Sequence, residues 1–231
     1  MIDKELSFWE HLEALRSVLV KSVIAWLVAS LVAFFLKEPL FRLLFAPLGP
    51  DQNLINIDVI SPFMTHIQVS LCFGFVVALP LMIAWLYNFV APAISSSGKK
   101  QSISFVCAAF LLFLSGVVLN YFVIFPFSFR FLSTYQLSDV VLNHISLQSY
   151  MSLMLVLSIM MGLFFEVPVA TWLLAHLGVL RREHLKRYRK YVFVAVLVIA
   201  ALITPTGDPY TLLLVTLPVY LLYELSIWII Q

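Results

Sequence analysis

Six long apolar runs, separated by short polar stretches, make up most of the chain. They lie at Val18–Leu36, Thr65–Val90, Ser102–Pro126, Ser149–Leu177, Tyr191–Ile203 and Tyr210–Ile229, and each predicts a membrane-crossing helix. A straight crossing takes about 20 residues. The fifth run is shorter, so it either thins the bilayer locally or borrows flanking residues such as Tyr188 and Tyr191. Pro80, Pro168 and Pro218 fall inside runs two, four and six. Each lacks the N–H that the helical ladder needs, and each predicts a bend. Glycine is scarce, at 7 residues against 20 phenylalanines, so close glycine-on-glycine packing is not expected to dominate. The expected fold is an all-α membrane protein, with six bent transmembrane helices around a shared concavity. No linker, low-complexity tract or internal repeat interrupts residues 1–231, which read as one domain.

Composition turns this pattern into a class. Hydrophobic residues make up 62% of the 231 and charged residues 11%, against about 25% charged in soluble domains. The outer surface must itself be apolar, so the chain is polytopic. Its first ten residues lack a basic flank running straight into a short apolar core and lack a small-residue cleavage site, so the first run is expected to act as its own insertion signal. Orientation follows the lysines and arginines. With the N-terminus inside, 11 of the 14 fall in cytoplasmic segments, and Lys37, Arg42 and Arg130 fall outside. Both termini are then cytoplasmic. In the first outer loop, Leu40–Phe45 reads as a short amphipathic surface helix, with a turn at Gly49-Pro50-Asp51.

Glu166 is the most informative residue. It lies in a run whose nearest charged neighbours along the chain are Asp139 and Arg181. An ionised carboxylate in hydrocarbon costs about 2.5 kcal/mol or more, so an acid kept there marks function. Pro168, two residues on, places a bend at the same depth. Near the outer side Asp208 is suited to N-cap the sixth helix, with Pro209 at its first position. Glu224 is expected to pair with a base of the run 181–190 or to reach water. That basic run serves topology and contact with anionic lipid; it is too short and too close to the bilayer for nucleic acid. Phe8–Arg16 predicts an amphipathic helix leading into the first span, with Glu10 and Glu13 on a shared face. No metal helix, phosphate loop or nucleophile elbow is present, so no enzyme, metal or cofactor is expected. The five histidines are scattered, and Cys72 and Cys107 read as apolar fillers.

Seven short motifs in order complete the picture: Glu10-His-Leu-Glu-Ala-Leu-Arg16, Ala46-Pro-Leu48, Ser61-Pro-Phe63, Phe89-Val-Ala-Pro-Ala93, Phe122-Val-Ile-Phe-Pro126, Phe165-Glu-Val-Pro168, and Ile203-Thr-Pro205 followed by Asp208. Together they resemble the TatC family, the polytopic subunit of the twin-arginine protein translocase. The resemblance implies a bent six-helix, cup-like fold with no cofactor. It implies binding of the twin-arginine signal peptides of folded cargo, partnership with TatA/TatB-like single-span membrane proteins, self-association in a receptor complex, and transport driven by the proton-motive force across a bacterial-type inner membrane. The intramembrane acid of the family corresponds to Glu166 and the outer acid to Asp208. At the cytoplasmic face the residues of this chain expected to bind the signal peptide are Glu10, Glu13, Arg16 and Phe89. Where the family carries an acid just before Leu-Arg, this sequence has Ala14. The loop acid corresponds to Gly98, and a basic position two after the arginine is Val18. Glu10, one turn before Ala14 on the same face, is expected to supply the missing carboxylate. The alternative expectation is a small-molecule or ion transporter using Glu166 and Asp208 as coupling carboxylates.

Overall fold

The structure is a computed structural model that describes residues 8–49, 53–91, 99–135, 144–204 and 207–230. The turn expected at Pro50-Asp51, Pro92 and Ala93, Gly98, and Pro205 lie outside the described residues. Five helical stretches are long and apolar enough to cross a bilayer: Trp9–Phe35, Ser61–Val90, Ile103–Thr134, Leu147–His176 and Pro209–Ile229. The fifth predicted run forms the second half of a sixth long helix, Arg182–Ile203, whose first half is the basic stretch. Its apolar part, Tyr191–Ile203, spans about 20 Å at 1.5 Å per residue, short of a hydrocarbon core of about 30 Å. Charge in its first turns and this short apolar length keep it out of the long apolar set.

The chain forms two compact units, Met1–Phe35 with Ser70–Phe110, and Leu36–Val69 with Leu111–Gln231. In the first unit, α1 (Phe8–Phe35) is one continuous helix. It fuses the expected amphipathic entry with the first span. At about 42 Å it is longer than the bilayer core, so its polar first turns project. It runs antiparallel to α3 (Ser61–Val90). His11 stacks on Phe89 at one end, and Ser30 meets Gly74 at the other. A Cβ on Gly74 would lie 2.5 Å from the Ser30 backbone, so only glycine lets the two helices approach this closely. Trp26 Nε1 donates to the Leu71 carbonyl at 2.9 Å across the same seam. Tyr87 of α3 stacks on Phe105 of α4 (Lys99–Leu119), with centroids 4.5 Å apart. Cys72 and Cys107 are free thiols.

In the second unit, α2 (Lys37–Phe45) is the short amphipathic helix foreseen from its sequence at Leu40–Phe45. A two-residue parallel pair, β1 (Leu54–Ile55) and β2 (Ile145–Ser146), ties two interhelical segments together, Leu54 opposite Ile145 and Ile55 opposite Ser146. The third span corrects its predicted end. Rather than stopping at Pro126, the helix passes through a π turn at Asn120–Ile124 and continues as α5 (Phe125–Thr134). The wider turn lets Phe125 N–H reach the Asn120 carbonyl, five residues back, and places Pro126 in the first turn of α5, where no N–H is needed. A buried aromatic cluster forms beside it. Tyr150 of α6 (Leu147–Phe165), 1% exposed, meets the rings of Phe125 and Phe129 edge-on at 5.2 and 5.1 Å. Its hydroxyl donates to the Leu44 carbonyl of α2 at 2.8 Å.

Glycine also sets the α4–α6 contact. Gly116 faces the Met161 backbone, and Gly162 faces the Phe113 ring. The close approaches therefore pair glycine with serine, methionine and phenylalanine rather than with glycine. α7 (Val167–His176), α8 (Arg182–Ile203, the fifth predicted run) and α9 (Pro209–Ile229, the sixth) complete the unit. The helical assignment continues through Pro80 in α3 and Pro218 in α9, whereas a break occurs at Pro168. Burial of Leu185, Tyr223, Ile227 and Ile230 against one another packs the basic end of α8 onto the end of α9.

Candidate functional site

Glu166 is the junction residue between α6 and α7. Pro168 carries no N–H, so the Phe164 carbonyl loses its normal helical donor. Glu166 turns there, with φ −77° and ψ −10°, and its N–H bonds the Leu163 carbonyl at 3.1 Å, three residues back rather than four. Pro168, buried, then occupies the first turn of α7. Thr171 Oγ1 fastens that turn by donating toward the Val167 and Pro168 carbonyls at 2.9 and 3.0 Å. The side chain of Glu166 is partly buried, and its Oε1 is sealed from solvent with no hydrogen-bond partner among the described residues. A sealed acceptor without a donor is costly.

A second polar group shares the second unit's apolar interior. Asn120, fully buried, donates from Nδ2 to Ser158 Oγ at 2.9 Å and toward the Met154 carbonyl at 3.5 Å, while its Oδ1 has no partner among the described residues. Sequence reasoning passed over it. The signal was available, since an amide inside Val118-Leu119-Asn120-Tyr121-Phe122 is as conspicuous as the acid.

The positions expected to bind a signal peptide converge in part. Glu10, Glu13 and Arg16 are exposed on the N-terminal turns of α1, and Ala14 is half-buried. Phe89, at the end of α3, is brought to this end of α1 by stacking with His11, centroids 4.7 Å apart and planes 27° apart. His11 therefore positions the pair, a role that its scatter in the sequence concealed. Glu10 lies in the first turn, where the helix dipole also favours an acid. Among the described residues, Glu13 and Arg16 make no ion pair.

Asp208 performs the structural role expected of it. Its Oδ1 accepts from Thr211 N–H at 2.7 Å, Pro209 follows at the first helical position, and Gly207 supplies the left-handed turn, φ 57°. Glu224 is paired. Arg189 Nη2 donates to its Oε2 at 2.7 Å, and Tyr220 donates to its Oε1 at 3.0 Å. No cluster of three or more metal-ligating side chains occurs among the described residues.

These features define a polytopic helical membrane protein with an acid at a helix break inside a crossing, one of whose oxygens has no partner among the described residues. The sequence profile described as "Sec-independent protein translocase protein (TatC)" matches residues 10–218. The TatC protein of Carboxydothermus hydrogenoformans is 34% identical over 230 residues, covering 99% of this chain and 94% of its own. That of Aquifex aeolicus is 34% identical, covering 95% and 92%. A crystal structure of the twin-arginine translocase receptor TatC superposes with a TM-score of 0.85 at 34% identity, over 94% of this chain and 96% of that one. A second, in the detergent DDM, gives 0.86 at 33% identity, over 96% and 99%. The chain belongs to the TatC family. It is a receptor subunit of the twin-arginine translocase, a transport component and not an enzyme. Membership of the Tat complex and a multi-pass membrane location follow from the family, and α8, fifth in chain order, completes the six long helices of the fold. The small-molecule transporter alternative is set aside.

Proposed function

We propose that this chain captures the twin-arginine signal peptides of folded cargo at the projecting end of α1, using Glu10, Glu13, Arg16 and Phe89. The observation that carries the reading is the exposure of two carboxylates on the first turns of α1, next to a Phe89 ring held by His11. Two guanidiniums near a membrane surface pair bidentately with such acids. Arg16, further along, repels a guanidinium placed deeper, and Phe89 offers an apolar surface to the segment that follows the arginines. Glu10 takes the principal role, because it shares a face with Ala14, whereas Glu13 is rotated by about 100° from Ala14. Glu10→Gln is expected to slow export of a twin-arginine reporter roughly tenfold or more, the loss of one charge-assisted hydrogen bond. Glu13→Gln should do less. Export at the wild-type rate from the Glu10 variant would reject this assignment. Photocrosslinking from positions 8–16 to a signal peptide separates a receptor surface from a scaffold.

The same proposal assigns Glu166 and Pro168 to engagement of TatA/TatB-like single-span partners, or of an inserted signal, through the carboxyl group of Glu166, which is partly exposed at the break. Asp208 marks the outer-face position, where it caps α9. The chain self-associates in the receptor complex, uses the proton-motive force and requires no cofactor. It forms one six-span domain of a bacterial-type cytoplasmic membrane, with both termini cytoplasmic, as the lysine and arginine distribution supports. With Cys72 and Cys107 replaced by serine, Asn56→Cys should react with an impermeant maleimide in intact cells. Glu183→Cys should react only after the membrane is opened. The reverse pattern would invert the topology.

A further inference from the structure

The first unit carries a groove that the signal and partner sites leave unused. It lies between α1 and α3, with a volume of about 400 Å³. Its floor is made of small side chains, Ala25 and Ala29 from α1 and Ala78 from α3, the last 2% exposed. The helices are antiparallel, so the same end of the groove receives Lys21 from α1 and Trp85 from α3. Lys21 lies one turn inside the apolar run that begins at Val18. Among the described residues, neither its ammonium nor the Trp85 indole N–H has a hydrogen-bond or ion-pair partner.

A cation at this depth needs a counter-charge or water, and lysine reaches the headgroup level by extending its stem. Tryptophan favours the same level, with its ring in the apolar zone and its N–H turned to the polar one. Two donors at the mouth and a methyl-lined trough beneath them match one molecule: phosphate above, hydrocarbon below. A partner helix fits the mouth poorly, since it would bury Lys21 against apolar side chains unless it brought an acid to that height. Free phosphate would leave the trough empty. We infer that the α1–α3 groove is a binding site for one anionic glycerophospholipid, its phosphate held by Lys21 and Trp85 and an acyl chain laid over Ala25, Ala29 and Ala78.

Trp85 is itself the reporter. The full chain, with Trp9, Trp26, Trp172 and Trp228 changed to phenylalanine, is reconstituted in phosphatidylcholine vesicles containing a minor fraction of lipid brominated on its acyl chains. Brominated phosphatidylglycerol should quench Trp85 as though enriched about fivefold over brominated phosphatidylcholine, the preference that one lysine near the surface contributes. Lys21→Gln should equalise the two lipids and Lys21→Arg should retain the preference. Ala29→Leu, which fills the trough, should reduce quenching by the phosphatidylglycerol chains. Because Trp26→Phe removes the bond to Leu71, native mass spectrometry of the chain with all its tryptophans provides a second reading: retained phosphatidylglycerol that falls with Lys21→Gln. Equal quenching by the two lipids, or an unchanged preference in Lys21→Gln, overturns the site. So does shielding of Trp85 from both lipids when a single-span partner is co-reconstituted, which would give the groove to a helix.

Discussion

Glu166→Leu is expected to raise the stability of the purified protein and to abolish export. The two effects have one origin. Oε1 is enclosed with no donor among the described residues, and an unsatisfied buried acceptor costs about 1–3 kcal/mol. An apolar side chain of similar size removes that cost, so the unfolding midpoint should rise. The same change removes the carboxyl group that a partner or signal would engage. Glu166→Gln keeps an acceptor and shape, and should fall between wild type and leucine in both measurements. Stability should rank leucine above glutamine above glutamate, and partner recovery and export the reverse. A leucine variant that exports normally would sink the functional assignment. One that is less stable than wild type would show that the carboxyl is satisfied within the chain.

Gly116→Val should give the largest loss of folded protein among single changes in the second unit. A Cβ at this position would lie 2.8 Å from the Met161 carbonyl carbon and 2.9 Å from the Phe165 ring. The ring could turn, but the backbone of α6 cannot yield without moving α4 away from it. Overpacking costs about 1–3 kcal/mol even where side chains can adjust, and valine adds two methyls to the clash. The helix that must move ends at Glu166, so export should fail even in the fraction that folds. Gly178→Ala is the control. Gly178 has φ 72° and open space around its Cβ, so alanine there costs only the left-handed backbone penalty of about 1–2 kcal/mol. Comparable accumulation of Gly116→Val and wild type in the membrane, or a worse defect in Gly178→Ala, would refute the packing account.

Much of this was legible before any coordinates. The apolar runs, the acid among them and Pro168 beside it identify a bent polytopic helix protein, and seven short motifs in order identify its family. Asp208 capping α9 was legible because a cap depends on neighbours three residues apart. Glu224 was half legible. Pairing with a base of the run 181–190 was one of its two expectations, water being the other, and the choice of Arg189 over the other cations of that run required α8 and α9 to be packed together. The third span was misjudged at Pro126 because a π turn, invisible in composition, absorbs the missing donor.

What the amino-acid order determines alone is transfer energy and local backbone chemistry: which segments enter hydrocarbon, where a proline removes a donor, and which acid is expensive to keep. These are sums over neighbours in sequence. Tertiary structure decided which face of each helix meets which. His11 meets Phe89, Asn120 meets Ser158, Gly116 meets Met161, and Glu166 Oε1 meets no donor among the described residues. A helix apolar on every side carries no stripe to announce its inward face, so rotation and register come only from how distant side chains fit.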